Sequence, residues 1–104
     1  MSGATAAAFE LSELKPGHLQ LRGAMTFATA AAVNAALSRL IIGSVGPEVH
    51  LDLHGVTRAD SAGLAVVVEA LAVARKLGRR VVLSGVPQAM DDIARISEIE
   101  DMLS

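Results

Sequence analysis

At 104 residues and 52% apolar, the chain is long enough for one domain with a real core and too short for two. Nine Lys and Arg stand against eleven Asp and Glu, and the only aromatics are two Phe, so the basic surface and the stacking platform of a nucleic-acid binder are both missing. The absence of Cys excludes disulfides, thiolate zinc sites and cysteine nucleophiles.

Residues 1–8 are small and Ala-rich, without the basic start and apolar run of a signal peptide. They read as a flexible leader to a domain over residues 9–104. Residues 9–14 alternate weakly, Lys15-Pro16-Gly17 is turn chemistry, and residues 18–23 place Leu19 and Leu21 on one face. Together they predict a hairpin. Thr26 is read as a helix N-cap, and Val33, Ala36, Leu37, Leu40 and Ile41 form the apolar stripe that follows, ended by Gly43. Val49, Leu51 and Leu53 alternate with His50, Asp52 and His54 as a strand, which residues 55–59 leave. Asp60 or Ser61 caps the next helix, whose buried stripe is Leu64, Val67, Val68 and Leu71, with Gly78 as its stop. Residues 81–84 are a β-rich run, and Pro87 opens a last helix with Met90, Ile93 and Ile96 inward. The order predicts an α/β fold, a mixed sheet of about four strands with about three helices mainly on one face. The longest apolar stretch, residues 62–74, is interrupted by Glu69 and falls short of the roughly 20 residues that span a bilayer. The expected location is the cytoplasm, without direct membrane insertion.

Chemistry concentrates at Asp60-Ser61-Ala62-Gly63, where a strand hands over to a helix. The first turn of a helix offers unpaired N–H groups and partial positive charge, so a hydroxyl there is displayed and a phosphate on it could be held. Ala62 and Gly63 are small enough for a partner backbone to approach. The same residues also read as an ordinary N-cap, and the two readings are compatible. His50-x-Asp52-x-His54 carries zinc-ligand types. Strand positions i and i+4 are roughly 13 Å apart, too far for both imidazoles to share an ion. A serine-hydrolase elbow fails because Ala59 stands where its first Gly belongs, and no phosphate-binding P-loop is present. No catalytic residue, metal or cofactor is expected. Lys76, Arg79 and Arg80 read as a solvated turn or as a contact for anionic lipid, and Glu98, Glu100 and Asp101 as a solvated acidic tail or a contact for a basic partner.

Residues 49–53, the run Val56-Thr57-Arg58-Ala59-Asp60-Ser61-Ala62-Gly63-Leu64-Ala65, Gly78 and residues 81–87 resemble the STAS domain family over nearly the whole chain. The resemblance implies a non-catalytic module that docks on other proteins, with Thr57, Arg58, Asp60, Ser61, Ala62, Gly63 and Leu64 as the partner-binding run. In one branch, the anti-sigma factor antagonists, the Ser after the Asp is phosphorylated by a serine kinase that is itself the anti-sigma factor; Ser61 holds that position. In the other, an MlaB-type subunit binds and supports the ATPase of a phospholipid-transporting Mla-type ABC complex that maintains outer-membrane lipid asymmetry, working with a membrane permease. Gly23-Ala24-Met25-Thr26-Phe27, Gly85-Val86-Pro87 and Ile93-Ala94-Arg95-Ile96 are more similar to the second branch. It implies a cytoplasmic protein peripheral to the inner membrane through its partner.

Overall fold

A computed structural model of the chain describes residues 3–6 and 8–96. The elements run β1 (Gly3–Ala6), β2 (Phe9–Lys15), β3 (His18–Met25), α1 (Ala30–Gly43), β4 (Glu48–Ala59), α2 (Ser61–Lys76), β5 (Arg80–Ser84) and α3 (Gln88–Ile96). The strands form one sheet in the order β1-β2-β3-β4-β5. The β1–β2 and β2–β3 pairs are antiparallel; β3–β4 and β4–β5 are parallel. The four strands expected from the sequence are β2 to β5. Gly3–Ala6, within the stretch read as a leader, pairs with Phe9–Ser12 as an outer strand.

The alternation of β4 decides which face is covered. Val49, Leu51 and Leu53 are buried, while His50 and Asp52 are half-buried and His54 is exposed. Phe9, Leu11, Leu19 and Leu21 bring the same face of β2 and β3 into the core, where Val33, Leu37 and Ile41 of α1 and Leu64, Val67 and Ala70 of α2 meet them. Burial of the Val, Leu, Ile and Phe side chains among these contributes about 1.5–3 kcal/mol each before entropy is counted. The other face of β2 to β4 is largely polar, as in a sheet covered on one side.

Several boundaries differ from the sequence expectation. α1 starts after Thr29, not Thr26. The Thr29 hydroxyl accepts from the Thr26 amide at 3.0 Å and donates to the Ala24 carbonyl at 2.9 Å, so it ties down the loop instead of capping helical amides. β4 continues through residues 55–59, because Gly55, Val56, Arg58 and Ala59 still pair with β3 across two register shifts. Each irregularity breaks the period-2 signal, which is why the alternation ends at Leu53 although the strand does not. In α3, Met90 and Ala94 are buried and Ile93 half-buried, but Ile96 is 83% exposed: Ala94 takes the inward position of the last turn.

Gly78, at φ 70°, turns the chain out of α2, its amide bonding to the Arg75 carbonyl. The turn it makes delivers Arg79 to the C-terminus of α1, where one guanidinium nitrogen donates to the Ile41 carbonyl at 2.6 Å and the Ile42 carbonyl at 3.4 Å. Arg79 is thus a helix cap from a distant turn, not a free surface cation; it joins the Ser44 amide at the Ile41 carbonyl, reaches that of Ile42 and sits at the negative end of the dipole. Arg79→Ala is expected to lower stability by about 1.5 kcal/mol, read as a shift in the urea midpoint, with Arg79→Lys recovering only part of it.

Candidate partner-docking site

The parallel strands β3 and β4 deliver the β3–α1 and β4–α2 loops to one end of the sheet, the usual place for function in such a topology. There the Asp60 carboxylate is the organiser. One oxygen accepts from the amides of Ala62 at 2.9 Å and Gly63 at 3.2 Å, and the other accepts from the Phe27 amide at 3.1 Å. The Asp60 amide donates to the Met25 carbonyl at 3.3 Å. The Phe27 amide, ahead of those of Gly63 and Ala62, holds the carboxyl below its ordinary value against an opposing desolvation effect. Of the two capping residues left open by the sequence, Asp60 does the capping.

Ser61 is therefore spared that role and stands exposed as the first residue of α2. Thr57 and Arg58 are exposed on the last residues of β4, and Ala62 is half-buried beside them. Gly63 and Leu64 lie differently: both are buried. A Cβ at position 63 would overlap the Met25 carbonyl, so this glycine admits the chain's own β3, not a partner's backbone. The Ala62 and Gly63 amides, expected to be available to a phosphate, are already taken by Asp60.

One residue escaped the reading of chemistry-bearing groups. Phe27 is 85% exposed, held by its amide against Asp60 and so placed beside Ser61. An aromatic in a Thr- and Ala-rich loop of a chain with two aromatics was the signal available. From this corner a shallow groove runs between α1 and α2, lined by Ala30, Ala31, Asn34, Ala65, Val66 and Glu69. The small side chains leave the helix backbones approachable, and Ser61, Ala65 and Glu69 follow one another along the exposed face of α2.

The histidine strand is a separate feature on the open sheet face. His54 Nδ1 and its amide both reach Asp52 Oδ1, at 2.7 and 2.8 Å, and Glu48 pairs with Arg80. His50 stacks on His18 of the neighbouring strand, with ring centroids 4.5 Å apart and planes 4° from parallel. The side chains thus partner across the sheet, and among the described residues no group of three or more ligating side chains converges on a metal position.

Residues 9–104 match the family model described as Mlab, STAS domain. The fold is similar to the solved structure of the anti-sigma factor antagonist SpoIIAA in its unphosphorylated form, with TM-score 0.70 at 16% identity, covering 90% of this chain and 84% of that one. It is also similar to the Bacillus cell fate determinant SpoIIAA in the phosphorylated form, with TM-score 0.68 at 18% identity, covering 90% and 86%. No curated protein matches the chain by sequence.

Two outcomes follow from this geometry. Gly63→Ala should destabilise the fold by at least about 2 kcal/mol in urea unfolding, because backbone must move to admit one methyl, whereas Ser61→Ala should be nearly neutral. Partial burial, then Lys15 and the stacked His50, hold His18 below its ordinary value of 6.5, so the unfolded chain binds a proton that the folded chain resists. That contribution to stability is complete above about pH 6.5 and is lost as pH falls toward the folded value. Urea midpoints at pH 7.5 and 5.5 should differ less for His18→Gln than for the native chain.

Proposed function

The chain belongs to the STAS family, in its MlaB-type group, and on that footing we propose that it is a non-catalytic subunit that docks on the ATPase of a phospholipid-transporting ABC complex. The observation that carries the reading is a family match over residues 9–104 together with a neutral hydroxyl displayed at the start of α2. Ser61, Ala62, Thr57 and Arg58 form the contact centre, Phe27 flanks it, and Asp60 acts from within by fixing the loop and the helix start. Gly63 and Leu64 set the helix position and make no outward contact. Binding the assembled, active ATPase better than the free subunit is how such a module supports it, since a ligand shifts an equilibrium only by its differential affinity. The protein would sit in the cytoplasm, at the inner membrane through that partner. Among the described residues no helix is long and apolar enough to cross a membrane.

A second reading, a phosphorylation-switched antagonist of an anti-sigma factor, is supported by the likeness in fold to SpoIIAA and by the exposure of Ser61. Phosphorylation would add about 1.5 to 2 negative charges at pH 7 next to the Asp60 carboxylate.

Affinity capture of the ATPase with its permease, using the native chain and single variants, separates the two. Ser61→Arg and Ser61→Asp are expected to weaken ATPase capture at least about tenfold, a difference of roughly 1.4 kcal/mol, with unchanged unfolding midpoints, while Ser61→Thr retains it. Capture unaffected by Ser61→Arg would overturn the site. Recovery of a soluble serine kinase with phosphate on Ser61 would move the function to the second reading.

A further inference from the structure

The end of the molecule opposite Ser61 has a surface of its own. Three turns meet there: residues 16–17 between β2 and β3, residues 44–47 between α1 and β4, and residues 77–79 between α2 and β5. Hydrogen bonds join them. The His50 amide donates to the Gly17 carbonyl at 2.7 Å, the Arg80 amide to the Pro47 carbonyl at 2.8 Å, and Arg79 reaches the end of α1. Four of the six large hydrophobic side chains that stand exposed among the described residues belong to this end: Leu14, Ile42, Val45 and Leu77, with Val45 77% exposed.

Cations surround them. Lys15 follows Leu14, Arg75 and Lys76 precede Leu77, and all three are exposed, with Arg39 one turn up α1. Of the carboxylates at this end, Glu48 pairs with Arg80, while Glu13 accepts from the Gly17 amide at 3.4 Å and is outnumbered by the cations. Aliphatic tips at element ends and turns, ringed by Lys and Arg, match the chemistry of an anionic lipid surface, where the tips enter the interface and the cations meet the headgroups. A second copy of the chain is a poor occupant, because it would present the same positive charge.

We propose that this end of the domain rests on an anionic membrane surface, peripherally and without insertion of a spanning segment. The two ends then face opposite ways, so the module can lie on lipid and present Ser61, Phe27 and the α1–α2 groove to a partner at once. This attachment does not depend on the identity of that partner.

Sedimentation of the purified full chain with phosphatidylglycerol-rich vesicles, against phosphatidylcholine vesicles, tests it. Binding to the anionic vesicles is expected at about 50 mM salt and should weaken steeply with added salt, since the cations act within a Debye length. The Lys15→Glu, Lys76→Glu double variant should bind at least about tenfold more weakly. Val45→Asp should do the same by removing an aliphatic tip, and it lies in an exposed turn where the fold is not at stake; far-UV circular dichroism checks that it is unchanged. Ser61→Arg should bind vesicles like the native chain, which keeps this surface separable from the docking site. Failure to sediment with anionic vesicles at low salt, equal binding to both vesicle types, or native-like binding by the charge-reversed variant would each overturn the proposal.

Discussion

The approach of α2 to β3 governs the functional end of this protein. The first turn of α2 lies so close to the Met25 carbonyl that position 63 tolerates no side chain, and the Asp60 amide donates to that same carbonyl. With the helix start pinned to the strand end, the Asp60 carboxylate reaches three amides at once, two in its own helix and one across in the β3–α1 loop. One glycine and one carboxylate thereby fix two loops relative to each other. Ser61 and Phe27 are exposed, yet both are attached to a rigid support, which lowers the entropy lost when a partner orders them.

The parallel arrangement of β3, β4 and β5 then sorts the molecule into two ends. Connections leaving the strands carry the cap, the hydroxyl and the exposed aromatic. Connections entering them carry aliphatic tips and cations. Arg79 shows how tightly the second end is built despite its polar composition: it crosses from the α2–β5 turn to close α1, so the two helices share a terminus as well as an interface. A surface made of turns locked in this way can hold aliphatic side chains in solvent, where a loose loop would fold them back.

Much of this was legible in the sequence. Period-2 alternation at Val49, Leu51 and Leu53, the stripe from Val33 to Ile41 and the stop at Gly78 specify a strand, a helix and a turn by local rules, and the mixed α/β sheet follows from their order. What escaped was set by tertiary contacts. The end of β4 lies beyond two register shifts that erase its alternation. The role of Arg79 depends on a carbonyl 38 residues away, which no local window sees, and Thr29 bonds to nearby backbone groups whose loop conformation no periodicity specifies. Gly63 carries the same ambiguity: a small residue in a functional motif reads equally as room for a partner or room for the chain itself, and only the position of Met25 decides. Ile96 failed for a simpler reason. Helical spacing from Ile93 points to Ile96, and the smaller Ala94, four positions after the buried Met90, is the one that meets the core.

The capping geometry also bears on how Ser61 could act. In many helix-terminal sites an added phosphate is gathered in by the free amides and so reshapes its own domain. Here those of Ala62 and Gly63 are occupied by Asp60, and the nearest built-in charge is that carboxylate, held ionised by the amides it accepts from. Any negative group placed on Ser61 would meet repulsion from its own domain and remain facing outward. Its effect would fall on whatever surface docks there, not on the fold beneath. The same reasoning favours a neutral hydroxyl for close docking, since burying it demands one hydrogen bond from the partner, whereas burying a charge beside Asp60 demands compensating cations, of which the exposed Arg58 is one.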